Sequence, residues 1–184
     1  MVAERKTYTV EIAGLIRDLS LFEVKPGLRI AILNILGDTE LVQACSSALA
    51  KRLKDITFDV LVTAEAKSIP LAHALSVQMD KPYVILRKTY KPYMGVSMMA
   101  ETQSITTGKS QTLFLDEKDL NLVDGKKVVL LDDVISTGST LKGMKQVMEK
   151  AGATIVAQAA IFTEGDQAEW DNVIALGHLP LFLD

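Results

Sequence analysis

The segment Val128-Val129-Leu130-Leu131-Asp132-Asp133-Val134-Ile135-Ser136-Thr137-Gly138-Ser139-Thr140 constrains this chain more than any other. Its first four residues are apolar, two of them β-branched, and spell a short strand buried on both faces, as in parallel sheets. Two adjacent carboxylates stand where that strand should end. Small hydroxyl residues around Gly138 follow and open into helical spacing at Leu141, Met144, Val147, Met148 and Ala151, with Gly152 as a C-terminal stop. Such a loop lets backbone N–H groups and hydroxyls crowd around an anion, and the positive end of the helix adds to the attraction. That suits a monophosphate. Asp132 and Asp133 would repel phosphate, but they are suited to accepting hydrogen bonds from sugar hydroxyls or to ordering a hydrated Mg²⁺. The whole reads as a site for a ribose 5-phosphate.

These same residues, Val129 to Thr140, resemble the phosphoribosyl-pyrophosphate (PRPP) signature of the type I phosphoribosyltransferases. The resemblance implies an α/β fold, a mostly parallel twisted sheet flanked by helices, with a small hood and a mobile hairpin loop. It implies that Asp132 and Asp133 contact the ribose hydroxyls, or a metal through water, and act in catalysis. It further implies that Ser136, Thr137, Gly138, Ser139 and Thr140 wrap the 5-phosphate. Rival nucleotide motifs are missing: Gly108-Lys109-Ser110 lacks the glycine five residues earlier that a P-loop needs, and no G-x-G-x-x-G follows a strand.

Size agrees with a single domain spanning 1–184, divided into a hood at about 12–35 plus the C-terminal tail, a core at about 36–178 and a flexible loop at about 94–116. A net charge of −3 gives no electrostatic footprint for nucleic acid. No apolar run approaches the roughly 18 residues of a membrane span, and the first ten residues carry no signal-peptide pattern. The single Cys45 cannot form an internal disulfide, so a cytoplasmic location is expected.

In chain order, Ile12, Leu15, Ile16 and Leu19 show helical spacing. Phe22, the turn Lys25-Pro26-Gly27 and the apolar stretch Leu28 to Leu36 follow. The order Ile16-Arg17-Asp18, Phe22, Lys25-Pro26-Gly27 resembles the hood of the adenine phosphoribosyltransferase group, and the resemblance implies base binding by Arg29, Ile30 and Ile135. Ala31 and Ile32 replace an arginine and an aspartate of that group, and a plain buried strand is the competing reading of 28–36. Asp38 or Thr39 should cap a helix whose apolar face includes Leu41, Cys45 and Leu49, making Cys45 a core residue.

A second buried strand, Asp59 to Thr63, runs into Ala64-Glu65-Ala66-Lys67-Ser68-Ile69-Pro70 and another helix. The family's matching loop binds pyrophosphate, which implies that role for Ala66, Lys67 and Ser68, although Lys67 and Ser68 stand where arginine and glycine are usual. A third strand, Tyr83 to Leu86, delivers Arg87 and Lys88, with Lys91 shortly after. Open α/β sheets bind ligands at such carboxyl ends, and in the family these cations serve pyrophosphate and the dimer interface. From Met94 to Asp116 two strands flank a polar loop at 101–109. The family's loop glutamate is replaced by Thr106, leaving Glu101 as the nearest acid for catalysis. Thr154 to Phe162 reads as a further core strand, and Val173 to Leu176 with the tail Leu179 to Phe182 completes the chain.

The resemblance therefore implies a glycosyltransfer from PRPP to a purine base with Mg²⁺, by a homodimer serving purine salvage. Adenine leads, with hypoxanthine, guanine or xanthine as alternatives. A PRPP-sensing regulator of the same fold is the non-enzymatic reading.

Overall fold

The computed structural model describes residues 5–103 and 110–183. A four-stranded and a five-stranded sheet share one core, a two-stranded hairpin packs in a second core on the other face, and the five-stranded sheet carries the site.

The chain opens with β1 (Thr7–Ile12) and β2 (Leu15–Lys25), an antiparallel hairpin that pairs Ile12 with Leu15 and Val10 with Arg17. The helical spacing read over Ile12 to Leu19 is thereby corrected. Ala13 and Gly14 both take left-handed backbone (φ 51° and 80°), the geometry of a two-residue hairpin turn. Ile12, Leu15 and Leu19 recur three and four apart because two paired strands cross the core face, while Ile16 stands on the opposite, exposed one. β3 (Leu28–Ile32) pairs with β2 after the Pro26-Gly27 turn, where Gly27 has φ 74°. The tail returns as β11 (Phe182–Leu183) on the other edge of β3. This four-stranded hood turns Val10, Ile12, Leu19 and Ala31 toward the core.

The second sheet has the order β10-β9-β8-β4-β5, every pairing parallel. Its strands are β4 (Val60–Ala64), β5 (Tyr83–Leu86), β8 (Lys127–Ile135), β9 (Thr154–Glu164) and β10 (Ile174–Leu179). Val128, Val129, Leu130 and Leu131 are fully buried, as their unbroken apolar run requires. α1 (Thr39–Leu53) and α2 (Ile69–Met79) pack with the hood on one face. The other face is covered by α4 (Ser139–Lys150), by the hairpin of β6 (Met98–Gln103) and β7 (Ser110–Leu115), and by α3 (Leu120–Val123). Gly143 lets that hairpin approach α4: a side chain there would meet Leu113 at 3.0 Å.

The hood begins earlier than the 12–35 read from sequence, at Thr7, and the end of β8 also differs. β8 continues through both acids to Ile135, because β9 runs alongside it and supplies partners for Asp132, Val134 and Ile135. The acids are therefore held in rigid strand rather than in a loop.

From β4 the chain winds outward to β5, then crosses back to β8 on the other side and continues to β9 and β10. The winding reverses between β4 and β8. A crevice forms outside the carboxyl ends of two such strands, which is where open α/β sheets bind ligands.

Candidate active site

Two hollows flank that reversal. The smaller, about 60 Å³, lies at the end of β8 among Asp132, Ile135, Ser136 to Thr140 and Leu141. Gly138 precedes α4 in left-handed conformation (φ 68°), and no side chain caps the helix. The first N–H groups of a twelve-residue helix thus open toward the hollow together with the hydroxyls of Ser136, Thr137, Ser139 and Thr140. The larger hollow, about 210 Å³, lies between the ends of β4 and β8 and is lined by Glu65, Ala66, Lys67, Ser68 and Lys88. Asp132, Val134 and Thr140 border both, so the acids stand between two anion-suited pockets.

The acid pair is tightly held. Asp133 is buried, and its backbone N–H donates to Asp132 Oδ1 at 2.9 Å. The Ser68 hydroxyl donates to the same oxygen at 3.2 Å. Thr63 donates to the Leu131 carbonyl at 2.8 Å and lies 2.9 Å from Ser68 Oγ, tying the β4 loop to β8. Burial, and then the neighbouring Asp133 charge, push the Asp132 carboxyl up to about 7. Asp133 has a cationic partner: Lys67 Nζ lies 3.4 Å from its Oδ2 and donates to the Leu33 carbonyl at 3.0 Å. One lysine therefore links the hood exit, the β4 loop and the acid pair.

Glu65 organises the far side of the larger hollow. Its carboxylate accepts from Arg87 Nε at 2.7 Å and from the Lys88 backbone N–H at 2.6 Å. Burial acts to raise the Glu65 carboxyl, but those two hydrogen bonds outweigh it and hold the group below the usual range. The Glu65–Ala66 peptide at this turn is cis.

The chain matches the phosphoribosyl transferase domain over residues 32–175. It belongs to the phosphoribosyltransferase family. It is 32% identical to an adenine phosphoribosyltransferase of Thermosipho africanus over 173 residues, covering 91% of this chain and 98% of that protein. A hypoxanthine/guanine phosphoribosyltransferase of Methanocella paludicola is 34% identical over 127 residues, 69% of this chain and 62% of that one. The fold is that of the adenine phosphoribosyltransferase of Thermoanaerobacter pseudethanolicus, with TM-score 0.73 at 20% identity over 87% and 95% of the two chains. The Giardia lamblia enzyme complexed with 9-deazaadenine superposes with TM-score 0.67 at 17% identity, covering 94% and 93%. The protein is thus a transferase of the type I fold.

In this phosphoribosyltransferase Asp132, Asp133, Ser136 to Thr140, Ala66, Lys67, Ser68 and Lys88 converge on one crevice. Ser68 does so differently from the sequence reading, since its hydroxyl is buried and turned to Asp132. Ile135 is buried against the smaller hollow. Other candidates stand apart from these two hollows. Arg87 is held by Glu65 and borders a separate pocket with Tyr83, Asp116 and Asp119. Lys91 is exposed before a short 3-10 turn at Pro92–Met94. Arg29 and Ile30 lie on β3 of the hood, where Arg29 pairs with Phe182. Glu101 is exposed on β6 while the adjacent Thr102 turns inward, its hydroxyl 3.3 Å from the Ser139 carbonyl. Positions 104–109, including Thr106, lie outside the described residues.

Cys45 is a core residue as expected: it is fully buried, and burial pushes its thiol up to about 11. Glu65 and the Leu33 carbonyl are site groups that the sequence reading did not single out. Glu65 stands two residues before the basic loop residue Lys67 and about twenty before Arg87 and Lys88, and that charge pattern is the available signal. Nothing local marks Leu33.

Proposed function

We propose that this enzyme transfers the phosphoribosyl group of PRPP to a purine base, adenine foremost, releasing pyrophosphate. One observation carries the reading: two anion-suited hollows share Asp132 at the point where the sheet reverses its winding. PRPP has that form, with a phosphate at one end, a pyrophosphate at the other and ribose hydroxyls between. On this reading Ser136 to Thr140 hold the 5-phosphate, Asp132 and Asp133 accept from the hydroxyls, and Ala66, Lys67, Ser68 and Lys88 receive the pyrophosphate.

The transfer needs little covalent machinery. A base nitrogen attacks ribose C1 as the bond from C1 to the pyrophosphate oxygen breaks; that electron pair leaves with pyrophosphate, and the imidazole-ring proton of the base is released to water or to the departing pyrophosphate. The chain's part is to align the partners and to neutralise the departing charge with Lys67 and Lys88. Mg²⁺ suits the acid pair, because it is commonly bound through one or two carboxylates while substrate oxygens and water complete its shell. Asp132 and Asp133 would hold it, and it would supply further neutralisation of the leaving group.

Adenine is favoured because the adenine enzyme of Thermosipho africanus aligns with this chain almost end to end. The second reading, an oxopurine, draws on the hypoxanthine/guanine enzymes, among them that of Methanococcus voltae at 37% identity over 112 residues. Adenine offers a donor at its 6-amino group where oxopurines offer an acceptor. A pocket made for one leaves a buried group unpaired with the other, at about 1–3 kcal/mol per group. Comparing kcat/KM for adenine, hypoxanthine, guanine and xanthine tests the choice. Adenine should lead, and a tenfold preference for an oxopurine would overturn the base while leaving the transfer standing.

We assign the activity to the cytoplasm, in purine salvage, and to a homodimer joined near Arg87 to Gly95. Tyr93 in that region and Val96 just beyond it are 72% and 81% exposed, an apolar surface of the kind that partners cover. Sedimentation that finds only monomer at micromolar concentration would refute the dimer.

A further inference from the structure

The sole tryptophan reaches the phosphate loop from a distant part of the chain. After β9 the chain makes a 3-10 turn at Gln167–Trp170, capped by the Asp166 carboxylate accepting from the Ala168 N–H at 3.0 Å. The turn is closed beyond by Val173 N–H donating to the Trp170 carbonyl at 2.8 Å. The indole Nε1–H donates to the Glu164 carbonyl at 2.9 Å, fixing the ring at the end of β9. Its far edge then lies against Gly138: a Cβ placed there would come within 2.8 Å of Trp170 Cη2. Gly138 has φ 68°, so this residue sets the direction of the turn from which the α4 N–H groups emerge. Trp170 touches the loop without bordering the small hollow.

We propose that Trp170 is a positioning residue for the 5-phosphate loop. Its ring backs the left-handed turn at Gly138 and fixes where the N–H groups of Ser139 and Thr140 point. A loop that binds through backbone donors depends on such backing, because small errors in placement cost affinity steeply. The indole suits the role, being a large rigid body with a polar handle that anchors one edge. The proposal rests on the reading of Ser136 to Thr140 as the 5-phosphate site.

The test uses ribose 5-phosphate and inorganic pyrophosphate as separate probes, measured by calorimetry on the full chain, together with intrinsic fluorescence. Trp170 is the only tryptophan, so emission reports its surroundings alone. Wild-type emission should change saturably with ribose 5-phosphate and remain unchanged with ribose. Trp170→Ala should weaken ribose 5-phosphate at least tenfold and leave pyrophosphate within twofold. Trp170→Phe, which keeps a ring but loses the N–H, should recover most of that loss. Ribose 5-phosphate affinity within twofold of wild type in Trp170→Ala would overturn the proposal, as would equal loss of both probes or a loss confined to the KM of the base. Should Trp170→Ala not fold, an unresponsive wild-type emission overturns the proposal and a saturable response upholds it. If wild type itself binds neither probe, the parent reading fails and this proposal with it, a result distinct from selective retention by the alanine variant.

Discussion

Replacing Asp132 with asparagine should make the ligand-free protein more stable while disabling its site. Burial raises the Asp132 carboxyl first, and the Asp133 charge raises it further. The folded chain therefore keeps a proton that the unfolded chain has largely released above pH 4. On this account the Asp132 contribution to stability is greatest at low pH, declines as pH rises, and levels off once the folded value near 7 is passed. A neighbouring like charge in the range of about 4–6 Å at an effective dielectric near 20 costs roughly 3–4 kcal/mol. Lys67, 47% exposed, offsets part of this, leaving about 2 kcal/mol at pH 8. Asparagine keeps the oxygen that accepts from Ser68 and from the Asp133 N–H, so geometry is preserved. For a chain of this size that corresponds to about 4–8 °C in melting temperature. Calorimetric melts of wild type and Asp132→Asn from pH 4 to 8 should show the variant higher at pH 8, the gap closing toward pH 4. The same variant should bind ribose 5-phosphate at least tenfold more weakly, having lost a charged acceptor. A variant that melts lower at every pH, with a gap independent of pH, would refute the reasoning.

Two further outcomes follow from other contacts. Gly138→Ala forces an L residue into left-handed backbone, about 1 kcal/mol or more, and drives Cβ onto Trp170; calorimetry should find ribose 5-phosphate weakened more than tenfold and pyrophosphate unchanged. Asp38→Ala removes the α1 cap on the Leu41 N–H, at about 1 kcal/mol in a chemical denaturation curve, together with the two-point pair with Arg17 of β2. The Arg17 hydrogen bond and that from Leu41 N–H hold the Asp38 carboxyl below its usual range, so the loss should be full at neutral pH and fade as pH falls through the lowered value.

The parallel core and the acid–loop–helix unit were legible because each is written in neighbouring residues. Val128 to Leu131 can only be buried on both faces, and Gly138 stands directly before the α4 pattern. The amino terminus was misread because a hairpin folded at Ala13-Gly14 returns apolar residues at the spacing of a helix. β8 runs past its acids because β9 pairs with them, a fact of tertiary structure and not of local propensity. Trp170 against Gly138, and Lys67 between Leu33 and Asp133, join residues more than thirty positions apart. No local pattern encodes such contacts, and these are the ones that orient the site.

The central claim is tested most directly by mixing the protein with PRPP, Mg²⁺ and adenine and following pyrophosphate and AMP together. The account predicts that both accumulate in equal amounts, that neither forms without the base, and that Asp133→Asn slows both by about a hundredfold or more while the protein remains folded. Tight binding of PRPP without turnover on adenine, hypoxanthine, guanine or xanthine would contradict it.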